Sequence, residues 1–309
     1  MKRALAMSLL VIMFSGILVA HPAFAHNFVQ NSDASLIAKV QEFKVESKLI
    51  ADNISNNTLS QWHISKSQEY WGSNEIGVLS QTNSTLATQL STSIDELYSM
   101  AGQQNADPTT ANQKADEIGQ LLDQAESEEV SNLSQSNATV QALATVGVIN
   151  EVLKDYGDAI GSTVDLTNMN NMNMSSMSSS SGNSMQGMSG MSGMSSSAPR
   201  TPIVNMAAYQ SAQALTNTAQ TMFGNLQSIA PSSTSPYLGK VGTALNDLKQ
   251  KIDARGSGND VMMVVHMQIH PNLISAFNIA AVPEFPVPIL LVMISFVGVI
   301  VMSRVIPRK

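Results

Sequence analysis

The chain has 309 residues, no cysteine, and sixteen Lys and Arg against twenty-three Asp and Glu, a formal charge of −7 at pH 7. Without cysteine there is no disulfide framework and no thiol nucleophile, so any folded body rests on hydrophobic burial, for which this length suffices. The acidic balance argues against nucleic acid and anionic lipid as partners; it suits either the accumulation of cations or a solubilising shell.

In chain order, Lys2 and Arg3 precede an apolar stretch from Ala4 to Ala20 and then Ala23-Phe24-Ala25. This is the pattern of a secretory signal peptide over residues 1–25, with His26 as the new terminus. A cut after Ala20 would instead expose His21-Pro22. Either way the product is expected to be exported.

Residues 26–167 carry helical spacing. Leu36, Val40, Phe43, Ile50 and Ile54 recur at three-to-four intervals, with Ser32 placed to cap the first turn. Thr58 is the candidate cap of a second helix bearing Leu59, Trp62, His63 and Tyr70. A third runs through Leu79, Leu86, Leu90, Ile94 and Leu97. Asp107-Pro108 opens a fourth, with Ala111, Ala115, Ile118, Leu122 and Ala125 on one face. Val140, Leu143, Val152, Tyr156 and Ile160 mark a fifth. Glu126, Glu128 and Glu129 read as a solvated helix end. Glycosylation sequons stand at Asn53, Asn56, Asn83, Asn132, Asn137 and Asn173.

Residues 168–201 change character. Met169, Met172, Met174 and Met177 lie among Asn and Ser, and Met185, Met188, Met191 and Met194 recur every third residue among Ser and Gly. Such small polar neighbours build no core, so the segment is expected to be a disordered insertion whose methionines are not explained by packing. Thioether sulfur is neutral at any pH and prefers soft, low-charge metals, above all Cu(I). Other readings are a Ser/Gly linker enriched in Met by repeat expansion and a reversible oxidant sink.

Residues 202–279 return to helical spacing. Asn205 precedes Met206, Leu215, Met222, Leu226 and Ile229, and Ser235-Pro236 precedes Leu238, Val241, Leu245, Leu248 and Ile252. A last segment from Val261 to Phe277 is helix-like, interrupted at Pro271, and alternates ambiguously from Val261 to Ile269 without an obvious partner strand. In it His266 and His270 are four apart, with Met263 and Met267 beside them, a mixed imidazole and thioether set suited to copper in either oxidation state. The competing reading is a buried histidine pair with methionines filling the core. Parts of the helical region, Val146 to Ile160, Met206 to Phe223 and Val241 to Ile252, resemble extracytoplasmic helical domains that accompany iron-permease-type metal transporters. The resemblance implies a place beside metal uptake.

The tail, residues 280–309, holds Pro283-Glu284-Phe285-Pro286, an uncharged apolar stretch from Val287 to Met302, and then Arg304, Arg308 and Lys309. Sixteen helical residues cover roughly 24 Å, a marginal single span unless Val305 and Ile306 join it. Its basic end belongs on the cytoplasmic side, leaving the bulk of the chain outside. With Lys2, Arg3, Arg304, Arg308 and Lys309 set aside, eleven basic residues face twenty-three acids. The tail resembles the Pro-Glu-Phe sorting tail of archaeal surface proteins processed by archaeosortases, with Pro286 where one subgroup has Gly. The resemblance implies a temporary anchor, cut by a sortase-type enzyme and replaced by lipid.

The expected architecture is therefore all-α: an extracytoplasmic helical bundle, five helices before the methionine tract and about three after it. The expected function is non-enzymatic. Copper is captured or buffered by the tract and passed, through Met263, His266, Met267 and His270, to a metal transporter or cuproprotein acceptor. A structural surface-layer or adhesion protein with a Met-rich spacer is one alternative. A copper oxidase is another, in which His26 offers its α-amino group and imidazole and His63 completes a histidine brace. No Gly-x-Ser-x-Gly, His-Glu-x-x-His or phosphate-binding loop supplies a catalytic site.

Overall fold

The structure, a computed structural model, describes residues 26–28, 31–103, 105–169, 200–279 and 281–283. The signal peptide, the tract beyond Met169, the Pro-Glu-Phe element and the apolar tail lie outside the described residues. The chain divides into Phe28–Ala281, one compact unit, and the two chain ends. Only the first is described further, apart from a two-stranded sheet of three-residue strands, β1 (His26–Phe28) and β2 (Ala281–Pro283).

The body is all-α. Before the tract come α1 (Ser32–Asp52), α2 (Asn57–Tyr70), α3 (Ser73–Thr82), α4 (Ser84–Ala101), α5 (Pro108–Glu129), the single turn α6 (Asn132–Gln135) and α7 (Ala138–Ile160). After it come α8 (Met206–Ile229), α9 (Ser235–Asp253), α10 (Gly258–Val264), a π-helical segment Val265–Ile269, and α11 (His270–Phe277).

Asparagine caps five of the eleven α-helices among the described residues, and two of these correct the expected caps. Asn31 Oδ1, not Ser32, accepts from the Ala34 amide at 2.8 Å. Asn56 Oδ1, not Thr58, accepts from Leu59 at 3.2 Å. Each cap satisfies an amide that the first turn leaves without a helical partner. The expected third helix is two, α3 and α4. Asn83 sits between them in extended backbone, its amide donating to Leu79 O at 2.7 Å and its Oδ1 accepting from the Leu86 amide at 3.0 Å. Asp107 caps α5 through both Thr109 and Thr110, as expected from the Asp-Pro pair, and Asn205 caps α8.

The segment from Val261 is helical throughout, which settles its alternation. Pro271 has no amide hydrogen to continue an α-ladder, and the widened π turn falls just before it. At the end of α7, Gly161 is left-handed at φ 64°, and a Cβ there would come within 2.9 Å of Val204. Both its conformation and its space require glycine.

Two hydrophobic clusters share α1. Val40, Phe43 and Ile50 pack with Leu90, Leu97, Ile118 and Leu122 from α4 and α5. Ala34 and Ile37 pack with Ile149, Leu153, Leu215, Leu245 and Ile269, which lie both before and after the tract. Among the sequons, Asn56, Asn132 and Asn137 are exposed, whereas Asn53 Nδ2 donates to Leu49 O at 2.9 Å and Gln210 Oε1 at 3.2 Å. Asn173 is outside the described residues. No helix among the described residues is long and apolar enough to cross a membrane.

Candidate functional site

Two polar constellations stand out, and sequence reasoning found one of them. The first is the histidine pair. His266 and His270 are both buried, with ring centroids 5.2 Å apart in an edge-to-face arrangement, and Phe28 meets the His270 ring at 4.9 Å. His266 Nε2 is 3.0 Å from the carbonyl oxygen of Leu166. A carbonyl only accepts, so Nε2 carries the proton. Leu166 and the half-buried Met169, which packs against the larger cluster, form one root of the methionine tract. At the other root, Thr201 is held by its amide to Arg255 O at 2.8 Å and by its hydroxyl to Gly256 O at 3.0 Å. Both ends of the tract thus join the body around α10 and the π segment.

The methionines beside the pair separate. Met263 is half-buried and accepts from Asn259 Nδ2 at 3.6 Å, whereas Met267 is 41% exposed. A step of one residue turns a side chain by about 100° around a helix, which carries Met267 off the face of His266. Met172, Met174, Met177, Met185, Met188, Met191 and Met194 lie outside the described residues, as does the side chain of His26.

His63 belongs to the interior of the body. It is fully buried, with Nδ1 at 2.7 Å from Glu46 Oε2 and Nε2 at 3.2 Å from Gln210 Oε1. Ser211 donates to the other oxygen of Glu46 at 2.6 Å. Both ring nitrogens therefore face internal acceptors, a satisfied core histidine rather than an open ligand.

The second constellation was not anticipated. Where α1 and α2 meet α7, charged groups are buried together. Lys66 reaches Asp155 Oδ1 at 2.9 Å and Glu69 Oε2 at 3.4 Å, and forms a short ion pair with Glu151. The Tyr70 hydroxyl donates to Glu151 Oε1 at 2.9 Å, and Lys154 bridges Glu69 at 2.9 Å and Glu151 at 3.3 Å. Burial works against the Lys66 ammonium, but Asp155 and Glu151 more than offset it, so its pKa is raised. Asp155 is pushed well above the carboxylate range by its own burial, with Glu151 adding to the push. Glu42, one turn before Glu46 on α1, is pushed up to about 8, by burial first and by Glu151 second. Carboxyls outnumber ammonium groups here, and retained protons make up the balance.

A cavity of about 370 Å³ opens beside this cluster between α1, α2 and α7. The signal that could have revealed the cluster is charge inside an apolar stripe. Glu42 and Glu46 interrupt the α1 core positions four residues apart, and Glu151 and Asp155 do the same around Val152 in α7. Among the described residues no group of three or more His, Asp or Glu side chains could hold a metal ion. Compared with protein-family models, curated proteins and solved structures, the chain finds no match.

Proposed function

We propose that this chain is a membrane-anchored, extracytoplasmic copper-binding protein that captures or buffers Cu(I) through its thioether tract and passes it on beside the His266 and His270 pair. The reading rests on the methionines of the tract, of which Met169 packs half-buried against the body and the seven from Met172 to Met194 stand in sequence among small polar residues that build no core. One structural observation supports it: the 3.0 Å contact between His266 Nε2 and the Leu166 carbonyl, which ties the root of the tract to the buried imidazoles. A chain of sulfurs rooted at two histidines and Met263 offers soft ligands outside and borderline ligands at the base, an order suited to collecting Cu(I) and handing it over.

Export and anchoring belong to the same proposal and rest on the sequence of the two ends. The decisive experiment titrates the purified full-length chain with Cu(I) under a competing chelator. Saturable binding is expected, and it is lost when the eight tract methionines are replaced by leucine. Unchanged binding in that variant overturns the assignment. Absence of binding in the unaltered chain, together with loss of envelope integrity on deletion, would move the reading to a structural surface protein.

A further inference from the structure

Five of the six Asn-x-Ser/Thr acceptors fall among the described residues, at Asn53, Asn56, Asn83, Asn132 and Asn137, and the fold treats them in two ways. At two of them the amide nitrogen that would carry a sugar is already in use. Asn53 Nδ2 donates to Leu49 O at 2.9 Å and to Gln210 Oε1 at 3.2 Å, and Gln210 Nε2 donates back to Asn53 Oδ1 at 3.3 Å. The same glutamine oxygen lies 3.2 Å from Nε2 of the buried His63, so a sugar on Asn53 would part α1 from α8 and disturb the partner of a core imidazole. Asn83 Nδ2 donates to Glu128 Oε1 at 2.9 Å, which ties the junction of α3 and α4 to the end of α5. Both asparagines are half-buried.

The other three present the nitrogen outward. Asn56, Asn132 and Asn137 are exposed, and none of their Nδ2 atoms donates to a described residue. Asn56 and Asn137 engage only Oδ1, which caps α2 through the Leu59 amide at 3.2 Å and α7 through the Thr139 and Val140 amides at 2.9 and 3.4 Å. N-linkage replaces one hydrogen on Nδ2 and leaves the carbonyl oxygen untouched, so cap and sugar can share one residue. Both caps have extended backbone, at φ −114° and −84°, and the hydroxyls of Thr58 and Thr139 are bound to no described residue. Asn132 opens the single turn α6 next to Leu133, which at 84% exposure is the most exposed large apolar side chain among the described residues.

We propose that the exported chain carries N-linked sugars on Asn56, Asn132 and Asn137 and none on Asn53 or Asn83. The inference rests on the export included in the function proposed above and is independent of copper. In the transfer, Nδ2 attacks the anomeric carbon of a sugar carried on a lipid phosphate. A C–N bond forms as the bond from that carbon to the phosphate oxygen breaks, the phosphate leaves with the electron pair, and one Nδ2 hydrogen departs as a proton. Nothing is oxidised or reduced. A sugar on Asn132 also stands beside Leu133 and screens an apolar side chain that the fold leaves in water.

The test is peptide mapping by mass spectrometry of the full chain isolated from the envelope of its native cell, with fragmentation to place each added mass on its residue. Expected is an added sugar mass on Asn56, Asn132 and Asn137 and none on Asn53 or Asn83. Thr58→Ala, Ser134→Ala and Thr139→Ala each destroy one acceptor pattern while keeping its asparagine, and each is expected to lower the intact mass by one glycan. Ser55→Ala and Thr85→Ala, which destroy the patterns at Asn53 and Asn83, should leave the number of glycans unchanged. Sugar on Asn53 or Asn83, or a chain freed of its signal peptide that lacks sugar at any of the three, overturns the proposal and leaves export standing. A chain that retains residues 1–25 and carries no sugar overturns both.

Discussion

Glu42 occupies a position on α1 that apolar periodicity would assign to the core, between Ala38 and Phe43, and its burial makes the stability of the whole body depend on pH. In the unfolded chain a glutamate releases its proton near pH 4.5, whereas the folded chain keeps it to about pH 8. Between these values the folded state binds more protons than the unfolded state, so stability falls as pH rises. Its contribution is fully present below pH 4.5 and has been lost once pH passes about 8. Glu75 and Glu69 are shifted downward by Lys39 and Lys154 despite their partial burial, so their contributions lie below pH 4.5 and do not mask the slope. Asp155 is shifted in the same direction as Glu42 and retains part of the slope in any single variant. Glu42→Gln is therefore expected to melt at nearly the same temperature as the wild type at pH 5, and to be more stable by roughly 2–4 kcal/mol at pH 8. Melting curves across pH 5 to 8 measure it. Parallel curves for the two proteins would show that Glu42 ionises in the folded state as freely as it does in water.

At the scale of elements, the junction at Asn83 is the most economical piece of local chemistry in the chain. One residue closes α3 with its backbone amide and opens α4 with its side chain. Asn83→Ala leaves the Leu86 amide without its cap, and a loss of about 1 kcal/mol in urea unfolding is expected, most of it recovered by Asn83→Ser. A loss near zero would mean that water replaces the cap. The same junction shows why one helix was expected here. Leu79 and Leu86 are seven residues apart, two helical turns, so the apolar face runs through the break unchanged. Periodicity identified the buried face of α5 residue by residue, Ala111 to Ala125, and that of α9 from Leu238 to Ile252 except for Ala244, because nothing interrupts them. It was insensitive to the choice among neighbouring Asn, Ser and Thr at a cap, since Asn31-Ser32 and Asn56-Asn57-Thr58 satisfy the same pattern. The charged cluster was illegible for another reason. Lys66 and Glu151 are eighty-five residues apart, and their meeting depends on α2 lying against α7, which no local spacing encodes. The histidine pair, four residues apart on one helical segment, was legible because its geometry is local.

The methionine tract interrupts the chain between two helices that pack closely together, and the body is built so that this interruption carries little load. Beyond Ile160 and before Met206 the chain is tied down on both sides: the Val204 amide donates to Ala159 O at 2.8 Å, Thr201 is bound to Arg255 and Gly256, and Leu166 is bound to His266. These bonds bring the roots of the tract to the body whatever lies between them. Loop closure depends only logarithmically on length, so replacing residues 170–199 with about eight Gly and Ser residues should stabilise the fold by roughly 1 kcal/mol rather than weaken it. Urea unfolding of the shortened chain is expected to show an equal or higher midpoint and an unchanged slope, since the surface buried by the helices is the same. Cu(I) binding should disappear in the same protein. A fall of more than about 2 kcal/mol would instead give the tract methionines a packing role, because that is the scale on which buried side chains are missed. Stability and metal binding therefore separate in one variant. A chain that keeps its fold and loses its copper uses those sulfurs as ligands, and a chain that loses both uses them as core.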